Sequence, residues 1–357
     1  MAGLHDALAF RVAPTDLQSL LMGVYWNRAQ DLKAPALLEN TVRNSLLSPS
    51  SVSARKLLEF DCVAFAAAAN FEALDLSPVG PFGASFTLGG TSQNNVVTAV
   101  RNAEALGDST IAMALECAKR RRHSADVVRL CASHRVIRLQ PVNVPGFTPH
   151  FRLFAMVTAG RDSGSPGFEF EQLREHLRVY LSMFRDLAGA GLQLTEPLVE
   201  ITDLAGVEAV LRSAGVQAEE IRESVRAHWP GGSERFLTGR GIGLSADARH
   251  EGLEHEVFGP LREEFPEAVY RVNQTRLEGI GYYRGFAMRI SPVAPDHERY
   301  AVVDGGFTDW TARLLSNAKE RLLVSGLGSE FTCKKYQPRE ASSMMVRETT
   351  DLVSGTL

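Results

Sequence analysis

Phe170, Leu173, Leu177, Tyr180, Leu181, Phe184 and Leu187 recur at steps of three and four. That is the period of one helix face, and it predicts an amphipathic helix over residues 169–187. Thr15 followed by Gln18 has the form of a capping box, so the apolar residues at 17–26 predict an opening helix. A Ser/Pro cluster at 48–53 separates it from a second helix through Leu57, Leu58, Val63 and Phe65 that ends near Ala69. Pro78, Gly80, Pro81, Gly83, Gly89 and Gly90 punctuate the next stretch, leaving a short strand at 85–88. A β-like run at 95–100 precedes a helix over 109–121, with Asp108 or Ser109 as its cap.

Residues 136–140 and 151–158 pattern as two strands of a hairpin, whose tip carries Pro141, Pro145 and Pro149 against regular structure and Gly146 for a turn. Residues 204–265 are mostly helical in pattern, broken by Pro230, Gly231 and Gly232 and by Gly239, Gly241 and Gly243. Strands return at 269–273, 283–290, 300–304 and 322–325, with a short helix at 311–315. This divides the chain into a core (1–203), a helical insertion (204–265), the rest of the core (266–336) and a polar tail (337–357). Helices followed mainly by hairpins, without strand-helix-strand alternation, predict an α+β fold: an antiparallel sheet flanked by helices.

Composition narrows the function classes. With 357 residues, 45% hydrophobic and 22% charged, the chain has the makings of a sizeable core. A net charge of -4 supplies no global attraction to a polyphosphate. Cys62, Cys117, Cys131 and Cys333 form no CxxC pair and read as reduced thiols in the core. The first fifteen residues lack a signal-peptide pattern and no apolar run approaches the roughly 20 residues of a membrane span, so a cytoplasmic protein is expected. Lys119, Arg120, Arg121, Arg122 and His123 close a helix, where cations suit the dipole, although a phosphate-binding patch is the other reading. His250 and His255 are spaced for different helix faces, which argues against a metal pair.

Four stretches between Phe71 and Glu330 carry a likeness. Asp108-Ser109-Thr110 opens a helix, as an amine-holding acidic-x-Thr element would, or as a plain helix cap would. Arg138, with Gln140 two residues on and Arg152-Leu153-Phe154 across the hairpin, joins a guanidinium to an aromatic ring. Glu278-Gly279-Ile280-Gly281-Tyr282-Tyr283-Arg284-Gly285 is the third, and Gly305-Gly306-Phe307-Thr308-Asp309 with Gly328-Ser329-Glu330-Phe331 the fourth. Together they resemble the catalytic core of a class II aminoacyl-tRNA synthetase of the histidyl type, a family that includes the ATP phosphoribosyltransferase regulatory subunit.

The resemblance implies that Asp108, Thr110, Glu278, Tyr282, Tyr283 and Asp309 face an amino acid. It also implies that Arg138, Gln140, Arg152, Phe154 and Glu330 face ATP and Mg2+, with Arg138 as the catalytic cation. Glu278 stands where the family has an arginine, Gln140 where it has an acid, and Phe331 where motif 3 has an arginine. Only a short tail follows motif 3, so tRNA charging is not expected. The sequence leans to an enzyme that activates an amine-bearing acid with ATP outside translation. The alternatives are an amino-acid-sensing regulatory subunit with a protein partner and a bare interaction scaffold. The resemblance further implies a homodimer.

Overall fold

The structure is a computed structural model that describes residues 2–140, 148–162, 164, 166–227, 231–243 and 248–338. Pro141, Pro145, Gly146, Pro230 and tail residues 339–357 lie outside the described residues. The main helices are α1 (Pro14–Gln30), α2 (Ala34–Arg43), α3 (Ala54–Ala67), α4 (Ser109–Arg121), α5 (Gly167–Gly189), α6 (Leu204–Ser213), α7 (Ala218–Ala227), α8 (Gly232–Arg240), α9 (Trp310–Leu315) and α10 (Ser329–Lys335). The chain forms two compact units, one of residues 1–51, 77–111 and 135–151 and a larger one of residues 52–76, 112–134 and 152–357.

The smaller unit contains α1, α2 and a three-stranded antiparallel sheet in the order β2-β4-β3: β2 (Val79–Pro81), β3 (Thr98–Ala99) and β4 (Ala103–Ala105). The strand expected at 85–88 is instead a short helix, Ala84–Thr87. Its cause lies across the sheet. The buried Glu104 carboxylate accepts from the backbone N–H groups of Gly83 and Ser85 at 2.8 and 2.7 Å, and from Gln93 Nε2 at 3.1 Å. Gly83 at φ 82 makes the turn, and a carboxylate on the N–H groups that open a helix favours it over a strand. The run expected at 95–100 contracts to the two residues of β3 after a 3-10 turn, Gln93–Asn95.

The main sheet has eight strands in the order β1-β5-β6-β11-β10-β9-β7-β8. These are β1 (Glu72–Ala73), β5 (Val128–Ile137), β6 (His150–Arg161), β7 (Thr195–Asp203), β8 (Val269–Val272), β9 (Phe286–Val293), β10 (Val303–Thr308) and β11 (Glu320–Gly328). The run β6-β11-β10-β9-β7 is antiparallel, whereas the edge pairs β1-β5 and β7-β8 are parallel. Residues 153–160 of β6 are all buried, which is why this strand reads as a continuous apolar run rather than an alternating one. α5 lays Phe170, Leu173, Leu177, Tyr180, Leu181, Phe184 and Leu187 into the core, as their period predicts. Helices α6, α7 and α8 and the turns of Ala248–Leu253 and Gly259–Glu264 fill the stretch expected to be helical.

Two arginines at the basic end of α4 are engaged. Arg120 forms a two-pronged pair with Glu72 at 2.6 and 2.9 Å, and Arg121 is buried against Glu320. Lys119, Arg122 and His123 of the same run are exposed.

Candidate functional site

The residues singled out by sequence divide between the two units. In the smaller unit, Asp108 caps α4: its Oδ1 accepts from Thr110 N at 2.9 Å and from Thr110 Oγ1 at 2.7 Å. Its Oδ2 stands 3.4 Å from Arg138 Nη2, and Arg138 Nε donates to the Gly107 carbonyl at 2.7 Å. The Arg138 guanidinium lies 5.3 Å from the centre of the Phe151 ring. Arg138 is thus held by a carboxylate, a carbonyl and a ring. Gln140 is exposed.

In the larger unit, Arg152 pairs with Asp61 at 2.8 Å and donates through Nε to Ser133 Oγ at 3.0 Å, while Ser133 donates to Asp61 at 2.6 Å. Burial raises the Asp61 pKa, and the hydrogen bond from Ser133 and the charge of Arg152 offset part of that rise. Phe154 has no exposed surface and meets Phe65 edge-on at 5.7 Å, so its ring is part of the core. Glu330 is buried in the first turn of α10.

The remaining residues gather around Tyr283. Its hydroxyl donates to Asp304 Oδ2 at 3.0 Å, and its ring stands edge-on to Tyr282, which in turn meets Trp310 at 5.5 Å. Two glycines make room for the ring: a Cβ on Gly279 or on Gly306 would lie 2.6 or 2.7 Å from its carbons. Gly279 also sits at φ 99, a conformation glycine adopts without strain. The buried Arg276 donates to Asp304 at 2.7 Å, to the Glu278 carbonyl at 3.0 Å and to the Met288 carbonyl at 3.2 Å. Burial opposes its charge, yet Asp304, Tyr283 and Glu278 beside it hold its pKa above the ordinary value. Burial and the neighbouring Asp304 push the Tyr283 phenol well up, so it stays a donor. Arg284 and Arg313 flank Asp309 at 3.4 and 3.6 Å.

Asp304, Ser133 and Asp61 were missed from sequence. Asp304 had a signal: a carboxylate inside an otherwise apolar strand pattern, just before Gly305-Gly306. Asp61 had one too, as a lone acid on the buried face of α3 beside Phe60 and Ala64.

The fit to ATP and Mg2+ is poor on the residues present. A triphosphate needs free cations, but Arg138, Arg152, Arg276, Arg284 and Arg313 each lie within 4 Å of a carboxylate, Arg284 and Arg313 sharing Asp309 and Arg276 sharing Asp304 with Arg289. Among the described residues no group of three or more His, Cys, Asp or Glu side chains could hold a metal ion.

The antiparallel run of the large sheet, backed by helices and edged by parallel pairs, is the α+β fold of a class II synthetase-like core. Solved structures of the histidyl-tRNA synthetase type share this fold. The chain is similar to an ATP phosphoribosyltransferase regulatory subunit/histidyl-tRNA synthetase from Bacillus halodurans, at 13% identity and a TM-score of 0.60, over 80% of this chain and 82% of that one. It is similar also to histidyl-tRNA synthetase from Nostoc sp. PCC 7120, at 12% identity and a TM-score of 0.54, over 80% and 73% of the two chains. A histidine-tRNA ligase subunit from Alicyclobacillus acidocaldarius gives 12% identity and a TM-score of 0.54, over 80% and 94%. No protein-family model and no curated protein sequence matches the chain. No helix among the described residues is long and apolar enough to cross a membrane.

Proposed function

We propose that this chain is a ligand-sensing regulatory protein that binds an amino acid or a similar amine-bearing acid without activating it with ATP. The observation that carries this reading is the pairing of every candidate arginine with a carboxylate. A zwitterion can meet a carboxylate with its amine and a guanidinium with its acid in such a set, whereas a triphosphate must compete with carboxylates already on the guanidinium groups. The cluster of Tyr282, Tyr283, Asp304, Asp309 and Arg284 offers both signs and two aromatic rings in one unit. Asp304 and Asp309 are the acceptors for the amine, and the exposed Arg284 guanidinium is the donor for the carboxylate.

Calorimetry and thermal shift with histidine, other amino acids and ATP test this reading. An amino acid at about 100 times its Kd should stabilise the fold by roughly 2.7 kcal/mol, and ATP should add nothing. Amino-acid-dependent exchange of pyrophosphate into ATP would instead establish the adenylate-forming enzyme. Silence towards every amino acid would remove the ligand reading altogether.

A further inference from the structure

A row of charges crosses four strands of the large sheet beside the Tyr283 cluster. Asp304 on β10 stands opposite Arg289 on β9, Arg289 opposite Glu200 on β7, and Glu200 opposite Arg271 on β8. Successive side chains of a strand point to opposite faces, and the neighbours Val199, Ile201, Met288, Ile290 and Val303 belong to the hydrophobic core. The charged row therefore lies on the face turned away from that core, with its signs alternating from strand to strand.

The acids of the row are engaged. Glu200 pairs with Arg271 and accepts from Asn273 Nδ2 at 2.9 Å, and Asp304 accepts from Arg276 at 2.7 Å and from the Tyr283 hydroxyl at 3.0 Å. Arg289 is different. Its Nε is buried and has no hydrogen-bond partner among the described residues, and its ion pair with Asp304 spans 3.8 Å, beyond hydrogen-bond reach. The Asp304 oxygen that it approaches is already taken by Arg276. Guanidinium donors buried in a fold ordinarily find acceptors, so these call for one. Thr202 Oγ1, on the same face of β7, is likewise buried without a partner. Solvent still reaches 26% of the Arg289 side chain and 49% of the Asp304 side chain, so a ligand on Asp304 has access to both.

We propose that Arg289 receives a second carboxylate of the ligand, so that the amine-bearing acid bound at this site is an acidic amino acid. The proposal rests on the amino-acid reading given above, with the amine on Asp304 and Asp309 and the first carboxylate on Arg284. An amine on Asp304 sets the ligand beside Arg289, where a side-chain carboxylate can take the unused donors two at a time. One further negative charge suits the row. Asp304 and Glu200 flank Arg289 on the two neighbouring strands, so a multiply charged phosphate would meet two carboxylates around a single guanidinium. A neutral side chain would leave the buried donors unpaired, and a cationic one would be repelled.

Calorimetry of the full chain with glutamate, aspartate, glutamine, asparagine and inorganic phosphate tests the proposal on the parent, Arg289→Gln and Arg289→Lys. The parent should bind at least one of the acids about tenfold or more tightly than the matching amide. Arg289→Gln should abolish that preference and leave affinity for the amide within about twofold. Arg289→Lys keeps the charge without the planar fork and should reduce the preference, which serves as the test should Arg289→Gln fail to fold by far-UV circular dichroism. Amides that bind the parent as tightly as the acids, or a preference undiminished in a folded variant, would overturn the proposal and leave the amino-acid reading standing. Phosphate bound through Arg289 with no preference for acids would overturn it in the same way. Silence towards every amino acid would overturn it together with the reading on which it rests.

Discussion

Gly306 has no side chain, and the Tyr283 ring occupies the volume that one would need. Gly306→Ala should therefore displace that ring and cost about 1–3 kcal/mol, the range for overfilling a packed site. Amino-acid affinity should fall about tenfold or more in calorimetry, while Gly23→Ala, in open space, should leave it unchanged. His176 offers a second test at this scale. It is fully buried, contacts Thr158 Oγ1 and Ser325 Oγ at 2.9 and 2.8 Å, and has its pKa pushed down to about 3 by burial. Between pH 6.5 and 3 the unfolded chain takes up a proton there and the folded one does not. Stability should fall with decreasing pH through that window by up to about 1.4 kcal/mol per unit. His176→Gln should flatten this acid slope in urea titrations. His176 left no mark in the sequence, because its neighbours on β6 and β11 are 18 and 149 residues away.

At the scale of elements, the buried pair of Arg121 and Glu320 fastens the end of α4 to the start of β11. Glu320→Gln leaves that guanidinium without its charge partner and should lower stability by about 3–5 kcal/mol, read from the urea midpoint. Replacing both with apolar residues of similar volume should recover most of the loss. Long periodic elements were legible from sequence: α5 and α4 fall within about two residues of their patterns, because their burial is local and repetitive. β9 lay three residues further on, since a run of tyrosines and glycines around Tyr283 packs as a turn rather than as a strand, and β10 began three residues later and ended four later than its pattern. Strand β7 and helix α2 were not foreseen. β7 is specified by its long pairing with β9, which is remote in sequence, and no residue of α2 is buried.

At the scale of the whole molecule, the motif order disclosed the fold, while the charges at the candidate site directed the proposed function away from ATP chemistry. Glu278 and Phe331 were visible as departures in sequence, but the partners of Arg138, Arg152 and Arg276 became visible only in three dimensions. A ligand without net charge has a measurable consequence in solution. Affinity for a zwitterionic amino acid should change less than about twofold between 50 and 200 mM salt, a range over which exposed unbalanced charges are increasingly screened. Calorimetry at the two salt concentrations checks it.

The edges of the large sheet restrict how another chain can be recognised. Among the described residues, β1 and β8 end the sheet, with two and four residues. Strands this short give an incoming strand little ladder to extend at β1 and β8 themselves, which disfavours edge-to-edge stacking there. Recognition of a partner is thereby left to side chains and helix faces, where single substitutions can retune specificity without touching the sheet.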